Sequence, residues 1–169
     1  MSEAVIGMGS NLGDKDAQLL HAVQAINRLP GMKIMEISSI YASAPENAPE
    51  GGPFQEEYHN MVVQVETKMS PMALLGACLG IEASMGRVRG KRNAARGIDL
   101  DLLIYEGVKS ESFELSLPHP RITQRAFVML PLKELYPSGR APGVFFEPHL
   151  KEIGTDNIRR LERRIAMEG

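Results

Sequence analysis

The sequence predicts an α+β fold of the ferredoxin-like type, an antiparallel βαββαβ sheet with helices packed on it and additional C-terminal elements. Apolar residues change between strand and helical spacing in the order strand, helix, strand, strand, helix, strand. The chain has 169 residues, 43% of them apolar and 24% charged, as in one ordinary globular domain. We therefore expect a single catalytic domain over residues 1–169.

The first half of the chain supplies three of the predicted strands and one helix. Residues 4–9 read as a short buried strand, and Asp14 is placed to cap a helix that Pro30 and Gly31 end. Apolar residues over 34–41 indicate a second strand. Residues 58–67 indicate a third, with Met61, Val63 and Val65 on one face. The loop 43–53 between them is rich in proline and glycine, which is typical of a functional segment.

The second half supplies another helix, the strongest strand and the additional elements. Ser70 and Pro71 open the helix, and Gly86 ends it. The segments that follow are a basic loop over 87–97, a strand over 98–105, a turn or hairpin over 106–117, a helix over 122–135 and a charged tail from 148 that we expect to be helical over 157–167.

Charge and cysteine content exclude several classes of protein. The net charge of −2 argues against a surface devoted to nucleic acid or to an anionic membrane. The single cysteine, Cys78, cannot form an internal disulfide and is expected to be a core residue. No run approaches the roughly 20 apolar residues of a membrane span, and no signal peptide is evident. We expect a cytoplasmic protein.

Two carboxylates on the strongest strand are the clearest chemical signal. Asp99 and Asp101 are two residues apart and therefore leave one face, about 6–7 Å apart, whereas Ile98, Leu100, Leu102 and Ile104 take the other face. Such close carboxylates repel each other unless a cation joins them, and magnesium prefers hard oxygen ligands. The alternative is a strand start with two acids facing solvent.

A basic cluster runs directly into this pair. Arginine binds phosphate oxygens in a fork and stays charged near neutral pH. Cations next to a carboxylate pair suggest one site for an anion and its metal, as ATP with Mg²⁺ requires; a solvated loop or an RNA patch is the alternative. The cluster consists of Arg87, Arg89, Lys91, Arg92 and Arg96.

Three further groups of residues are candidates for ligand contacts. His119 lies between two prolines, and Arg121 and Arg125, four apart, are expected to share a helix face as phosphate ligands. Tyr58 and Asn60 share a strand face and suit a flat heterocycle; a cross-strand packing pair is the alternative, and other support is needed to prefer the ligand contact. Glu82 is either a helix-surface acid or a contact on the adenine side. The glycines at 7 and 9 suggest close backbone approach to a ligand, without a dinucleotide or P-loop fingerprint.

Four motifs together resemble those of the 6-hydroxymethyl-7,8-dihydropterin pyrophosphokinases of folate synthesis. The longest is Arg87-x-Arg89-x-x-Arg92-x-x-x-Arg96-x-x-Asp99-Leu100-Asp101-Leu102-Leu103. The other three are Gly9-Ser10-Asn11, Tyr58-x-Asn60 and Leu117-Pro118-His119-Pro120-Arg121-x-x-x-Arg125-x-Phe127. The likeness extends from about residue 4 to residue 137. Departures are Asn93-Ala94-Ala95, where many members have Trp-Gly-Pro, and Leu79, in place of a family glutamine.

The resemblance implies a role for each motif. Asp99 and Asp101 would hold two magnesium ions, and Glu82 would lie near the nucleoside. The expected ATP phosphate ligands are Arg87, Arg89, Arg92, Arg96, His119 and Arg125, with Arg87 and Arg96 counted among the catalytic residues. Asn60 and backbone groups around Ser43 and Pro45 would contact the hydrogen-bonding edge of the pterin. Tyr58 and Phe127 would stack on its two faces. Gly9, Ser10 and Asn11 would form the floor of the site.

The expected reaction is diphosphate transfer from ATP to the pterin hydroxymethyl group, with release of AMP. Its chemistry is positioning and charge stabilisation, with the loops 43–53 and 87–97 as lids against water. The partners would be ATP and a reduced pterin, with no nucleic acid or membrane, and the protein a monomer. A metal-dependent phosphohydrolase, a substrate-diverged relative and a ferredoxin-like RNA-binding module are the rival interpretations; 5% aromatic content disfavours the last.

Overall fold

The computed structural model describes residues 1–44, 56–86 and 97–161. In chain order the elements are β1 (Ser2–Ser10), α1 (Lys15–Asn27), β2 (Met32–Ile37), β3 (Tyr41–Ser43), β4 (Tyr58–Thr67), α2 (Pro71–Ser84), β5 (Asp99–Tyr105), β6 (Ser110–Glu111), β7 (Ser116–Leu117), a 3-10 turn (Ile122–Gln124), α3 (Ala126–Leu135), β8 (Arg140–Ala141), β9 (Val144–Phe145), α4 (Glu147–Glu152) and β10 (Ile158–Arg160).

Six of the strands form one antiparallel sheet. Its order is β10-β3-β4-β1-β5, and β2 pairs with β4 beyond the end of β3. The central strand β1 places Gly9 opposite both Asn60 of β4 and Asp99 of β5. The candidate residues of three strands therefore lie in one row across the sheet.

The first two helices begin where the sequence predicts. The Asp14 side chain accepts a hydrogen bond from the Ala17 N–H at 3.1 Å, and Ser70 Oγ accepts one from Ala73 N–H at 3.2 Å. Each cap satisfies an N–H group that the first helical turn leaves without an intrahelical partner. Pro71 follows its cap at the first helical position, where a missing N–H costs nothing.

Apolar residues pack on both faces of the sheet. On one face, Ile6, Met61 and Val63 pack with buried residues of α1 and α2, including Leu19 and Cys78. On the other face, buried side chains of α3 form a second core with Phe146 and with strand residues that include Val5, Val62 and Leu103. The predicted common face of Met61, Val63 and Val65 is confirmed.

A β-bulge corrects the predicted faces of β5. Ile98, Leu100 and Leu102 belong to the first core as expected, but Ile104 belongs to the second. The register with β1 shifts between Val5 and Ile6, which pair with Ile104 and Leu102, so Leu103 is the extra residue. A bulge reverses the alternation of side chains beyond it, and strict period-two counting therefore fails there.

The strand predicted over residues 34–41 is divided into β2 and β3. Between them, the Ser38 N–H donates to the Val62 carbonyl at 3.0 Å, while Val62 N–H donates to Ser38 Oγ at 2.9 Å. A serine hydroxyl thus replaces a backbone carbonyl in the ladder, and the regular pairing is interrupted.

The helix predicted over 157–167 is wrong for residues 158–160, which form β10 along the edge of β3. The Leu161 N–H donates to the Ile40 carbonyl at 2.8 Å, and its side chain packs against the first core. Pairing with an open strand edge outweighs the local charge pattern that suggested a helix. Residues 162–169 lie outside the described part of the chain. Within that part, no helix combines the length and apolarity needed to cross a membrane.

Candidate active site

A cavity of about 1150 Å³ opens above the row of candidate residues on the sheet. Its lining includes β4 residues Tyr58 and Asn60, β5 residues Asp99 and Asp101, and Phe127 at the beginning of α3. Its described lining also contains Gly7, Gly9, Ser43, Leu75, Leu79, Glu82, Leu103, Phe113, Glu114, Leu115, Ser116, His119, Arg121, Gln124 and Arg125. The cavity is large enough for two small-molecule substrates at once.

The two aspartates leave the same face of β5, as predicted. Both are half-buried and border the cavity, whereas Leu100 between them is 3% exposed in the first core. They are paired in register with Gly9 and Gly7, whose lack of side chains leaves room above the strand. A Cβ on Gly7 would lie 3.0 Å from Leu103 Cδ1, so this glycine serves packing within the sheet face.

Arg125 is the described cation closest to this pair. Its Nη1 lies 3.9 Å from Asp101 Oδ2, and its guanidinium carbon lies 5.5 Å from the centre of the Phe127 ring. The prediction that Arg121 and Arg125 share a helix face is wrong, because these residues flank a 3-10 turn. The side chain of Arg121 is exposed, and the backbone of Arg125 is extended. Both nevertheless border the cavity.

His119 is held beside β5 as a neutral hydrogen-bond donor. Its backbone N–H donates to the Leu103 carbonyl at 2.7 Å, and its ring Nδ1 accepts from the backbone N–H of Arg121 at 3.1 Å. Burial lowers the pKa of His119 to about 4, helped by the charges of Arg125 and Arg121 and opposed by Asp99. Because Nδ1 is an acceptor, the ring proton is on Nε2.

Asn60 is fixed in orientation by its neighbours. Its Nδ2 donates to Ser43 Oγ at 2.7 Å and to the Tyr41 carbonyl at 3.3 Å. A carbonyl can only accept, so the amide nitrogen must face β3 and the amide oxygen faces Gly9. A Cβ on Gly9 would lie 3.2 Å from that oxygen and 3.4 Å from the Tyr58 ring. The predicted shared face of Tyr58 and Asn60 is confirmed, and Gly9 makes room for both.

Ser10 and Asn11 continue from Gly9 into the interior of the protein. Ser10 is 0% exposed and Asn11 is 1% exposed, and Asn11 Nδ2 donates to the Glu56 carbonyl at 3.4 Å. Neither side chain borders the cavity in the described part of the structure. Their role as a site floor stays a prediction.

Glu82 is not a helix-surface acid. It is 2% exposed, and its Oε1 accepts the Leu100 N–H at 2.8 Å, which ties α2 to β5. One helical turn before it, burial and the charges of Glu82 and Asp101 raise the pKa of Cys78 to about 12. Cys78 is thus a core thiol, as expected. The predicted contact of Glu82 with a nucleoside stays a prediction.

Five predicted site residues lie outside the described residues. They are Pro45, Arg87, Arg89, Arg92 and Arg96.

The cavity also includes residues that sequence reasoning missed. Phe113 and Glu114 lie at the tip of the β6–β7 hairpin, and Leu75 lies on α2. One signal in the sequence could have identified Phe113. It is an aromatic residue within the otherwise polar segment 110–114, and no helix or strand periodicity accounts for an apolar residue there.

Among the described residues, no group of three or more His, Cys, Asp or Glu side chains is arranged to hold a metal ion. The assignment of Asp99 and Asp101 as magnesium ligands therefore stays a prediction; magnesium often takes only one or two carboxylates and completes its shell with water and substrate phosphates.

Comparison with known proteins identifies the family. The model for 7,8-dihydro-6-hydroxymethylpterin-pyrophosphokinase (HPPK) matches residues 5–137. The 2-amino-4-hydroxy-6-hydroxymethyldihydropteridine pyrophosphokinase of Methylorubrum extorquens is 38% identical over 162 residues, 96% of this chain and 100% of that protein. The enzyme of the same name from Bacillus subtilis is 36% identical over 79% of this chain and 77% of its own length.

A solved structure shows the same fold. The HPPK-DHPS wild type of Plasmodium falciparum has a TM-score of 0.67 and 15% sequence identity to this chain, covering 94% of it and 48% of that protein. The family model and the two bacterial relatives confirm the resemblance inferred from the four motifs. On the family model and the two bacterial relatives, this chain belongs to the HPPK family of pyrophosphokinases.

Proposed function

We propose that this chain transfers diphosphate from ATP to the hydroxymethyl group of 6-hydroxymethyl-7,8-dihydropterin, within folate biosynthesis, at the cavity above β1, β4 and β5. The observation that carries this proposal is that a carboxylate pair and an aromatic–amide pair open into one cavity. The first pair suits a metal-bound polyphosphate and the second suits a flat heterocycle.

The pterin end is formed by Asn60, Tyr58 and Phe127. Because both Asn60 amide hydrogens are directed to β3, the free function of this side chain toward a ligand is acceptance through its oxygen. The pyrimidine edge of a pterin carries N–H donors that match it. The rings of Tyr58 and Phe127 supply apolar surface for the two faces of the heterocycle.

The phosphate end is formed by the β5 carboxylates, Arg125 and His119. We assign Asp99 and Asp101 as the magnesium ligands, with two ions as the expected number. Bound magnesium would offset phosphate charge and align the reacting groups. Arg125 and the Nε2–H of neutral His119 would donate to phosphate oxygens. We extend the same role to Arg121 and to Arg87, Arg89, Arg92 and Arg96, on the resemblance alone for the last four.

At the β-phosphorus, the reaction forms one P–O bond and breaks one. The hydroxymethyl oxygen attacks the β-phosphorus of ATP, and the bond from that phosphorus to the oxygen bridging it to the α-phosphorus breaks. AMP leaves with the electron pair, and the hydroxyl proton is lost to a base, for which Asp99 and Asp101 are the candidates. Catalysis consists of positioning and of stabilising charge on the leaving AMP.

We further infer that the sheet is ferredoxin-like and that residues 1–169 act as one monomeric catalytic unit. Counting β2 and β3 as one interrupted strand, the order β2/β3-β4-β1-β5 and the helices after β1 and β4 support the split βαβ arrangement. The strand β10 is an addition at the edge.

The first experiment is direct. The protein is mixed with Mg-ATP and 6-hydroxymethyl-7,8-dihydropterin, and products are followed by ³¹P NMR. We expect AMP and the pterin diphosphate in equal amounts. ADP or inorganic phosphate formed without pterin would instead support a phosphohydrolase.

The carboxylate assignment has its own test. Asp99→Ala and Asp101→Ala should each lower turnover by about 10²-fold or more, because charge stabilisation at the transferring group is lost. Glu111→Ala, an exposed acid on β6, is the matched control and should keep wild-type turnover. Folding is checked by circular dichroism. If both aspartate variants keep most activity at millimolar magnesium, the metal assignment is wrong.

A further inference from the structure

The most exposed large apolar side chain of the described residues borders the candidate active site. Phe113, at the tip of the β6–β7 hairpin, has its full surface in contact with solvent, and it also lines the cavity. A single exposed phenylalanine is ordinary on a protein surface. One at the mouth of a substrate cavity is placed to contact what binds there.

Serine side chains fix the hairpin tip. Ser110 Oγ and Ser112 Oγ both donate to the Leu115 carbonyl, at 2.6 and 2.9 Å. The Leu115 N–H donates back to Ser112 Oγ at 3.2 Å, and Ser116 Oγ donates to the Ser112 carbonyl at 3.1 Å. These bonds close the turn that contains Phe113 and fix the position of its backbone.

Topology places Phe113 on the side of the carboxylates away from the pterin end. Tyr58 and Asn60 are on β4, which pairs with β1, and β1 pairs on its other side with β5. The strand β5 ends this path through the sheet, and β7 packs against β5. The cavity lining includes Leu115 of the hairpin and, from α2, Leu75 and Leu79, which are apolar side chains suited to contact with a flat ring.

We propose that Phe113 stacks on the nucleobase of the bound nucleotide and so sets nucleotide affinity. This inference rests on the proposed function. With the pterin at Tyr58 and Asn60 and the phosphates at Asp99 and Asp101, the nucleoside extends toward the hairpin. Stacking on an aromatic side chain tolerates any base, because every base has a π face.

Calorimetry with magnesium and α,β-methylene-ATP tests the contact without turnover. Truncation by Phe113→Ala should weaken binding of this analogue about tenfold, at the low end of the effect of losing a base-stacking aromatic. Phe113→Tyr should retain wild-type affinity, and Phe113→Leu should lie between. Mg-tripolyphosphate, which has no base, should bind wild type and Phe113→Ala equally.

A tryptophan probe gives an independent readout. The chain has no tryptophan, so Phe113→Trp introduces a single fluorophore. Its emission should be quenched by the ATP analogue and unchanged by tripolyphosphate. Phe145→Trp, at a position on β9 that is 45% exposed and outside the cavity lining, is the control and should respond to neither.

The outcomes separate the two levels of inference. Equal affinity of wild type and Phe113→Ala for the analogue overturns the stacking role and leaves the proposed function intact. An equal loss for analogue and tripolyphosphate also overturns it, because the effect is then not on the base. If wild type binds neither ligand, the proposed function fails and the stacking role fails with it.

Discussion

At the scale of single residues, the site is determined by which hydrogen-bonding atoms are already used. Asn60 directs both amide hydrogens to β3 and keeps its oxygen toward Gly9. His119 uses Nδ1 to accept from the Arg121 N–H and keeps a proton on Nε2. The sequence shows that an amide and an imidazole are present. Only the neighbours decide that one accepts from a ligand and the other donates.

The state of His119 gives a prediction at this scale. Because burial, with Arg125 and Arg121, lowers its pKa to about 4, the ring should stay neutral, in the Nε2–H tautomer, throughout pH 5.5–8. ¹⁵N-HMQC spectra of the imidazole nitrogens report both properties. A titration midpoint near 6.5, or an Nδ1–H tautomer, would contradict the assignment. A spectrum of His21→Gln, which removes a histidine on α1 outside the site, identifies the His21 signals by their loss.

The lowered pKa of His119 also makes the free energy of unfolding depend on pH. The folded-state pKa lies below the unfolded value of about 6.5, so the unfolded chain binds more protons between those values. The contribution of His119 to the free energy of unfolding is therefore complete above about pH 6.5. It is lost as pH falls toward 4.

At the scale of elements, turns and strand edges carry information that periodicity does not. The β8–β9 hairpin follows Gly139, whose φ is +78° and whose carbonyl accepts from the Phe146 N–H at 2.9 Å and the Glu147 N–H at 3.3 Å. A Cβ on Gly139 would lie 2.3 Å from the Glu147 Cβ. This glycine is required both by its backbone angle and by the close approach of α4.

A pair of glycine variants separates these two causes. Gly107 has a similar φ of +73°, but a Cβ there would meet no heavy atom of the described residues within 4 Å. We expect Gly107→Ala to lower the free energy of unfolding by about 1–2 kcal/mol, from the left-handed backbone alone. Gly139→Ala should cost a further ~1–3 kcal/mol, because the added methyl overlaps α4. Urea unfolding measures both, and equal losses would show that the overlap is relieved without cost.

The network of Glu134 shows why the tail was mispredicted. This α3 carboxylate accepts from the Ser39 N–H at 3.1 Å, from Ser39 Oγ at 3.0 Å and from the Tyr41 hydroxyl. Burial opposes ionisation, but these bonds and the nearby Arg160 lower the pKa of Glu134 overall. Arg160 Nε also donates to Ser39 Oγ at 3.3 Å. Arg160 of the tail therefore serves a long-range contact, which a local helical pattern cannot reveal.

At the scale of the whole molecule, one sheet separates two cores. The site residues of β4 and β5 lie on the face of the second core, and residues of α2 also line the cavity. Cys78, the single cysteine, is 0% exposed in the first core, with elements α1, α2, β1, β4 and β5 around it. Burial raises the pKa of its thiol to about 12, with help from Glu82 and Asp101. Because the reactive species is the thiolate, the native thiol should be inert at pH 8.

Thiol labelling therefore reports global unfolding. With DTNB in excess, Cys78 should react at least about a thousandfold more slowly than an exposed thiol, since a domain stable by about 5 kcal/mol or more is rarely open. Adding Met72→Cys, a 49% exposed position on the same helix, gives a fast internal control in one protein. Rapid reaction of both thiols without denaturant would show that the first core opens locally.

What the sequence by itself determined about this protein is its repeating local pattern and its family. Spacing alone located the central strands, the caps Asp14 and Ser70, the common face of Asp99 and Asp101, and four motifs specific enough to indicate the HPPK family. These features depend on neighbours within a few residues, and local periodicity records them.

Only the tertiary structure decided the features that depend on distant partners. These are the bulge at Leu103, the division at Ser38, the strand β10, the burial of Glu82 and the position of Phe113 at the cavity that the carboxylates border, and each requires two segments to meet. Their stabilising contacts join residues far apart in the chain. The sequence pattern of one segment does not indicate which distant segment it will contact, because only folding brings the two together.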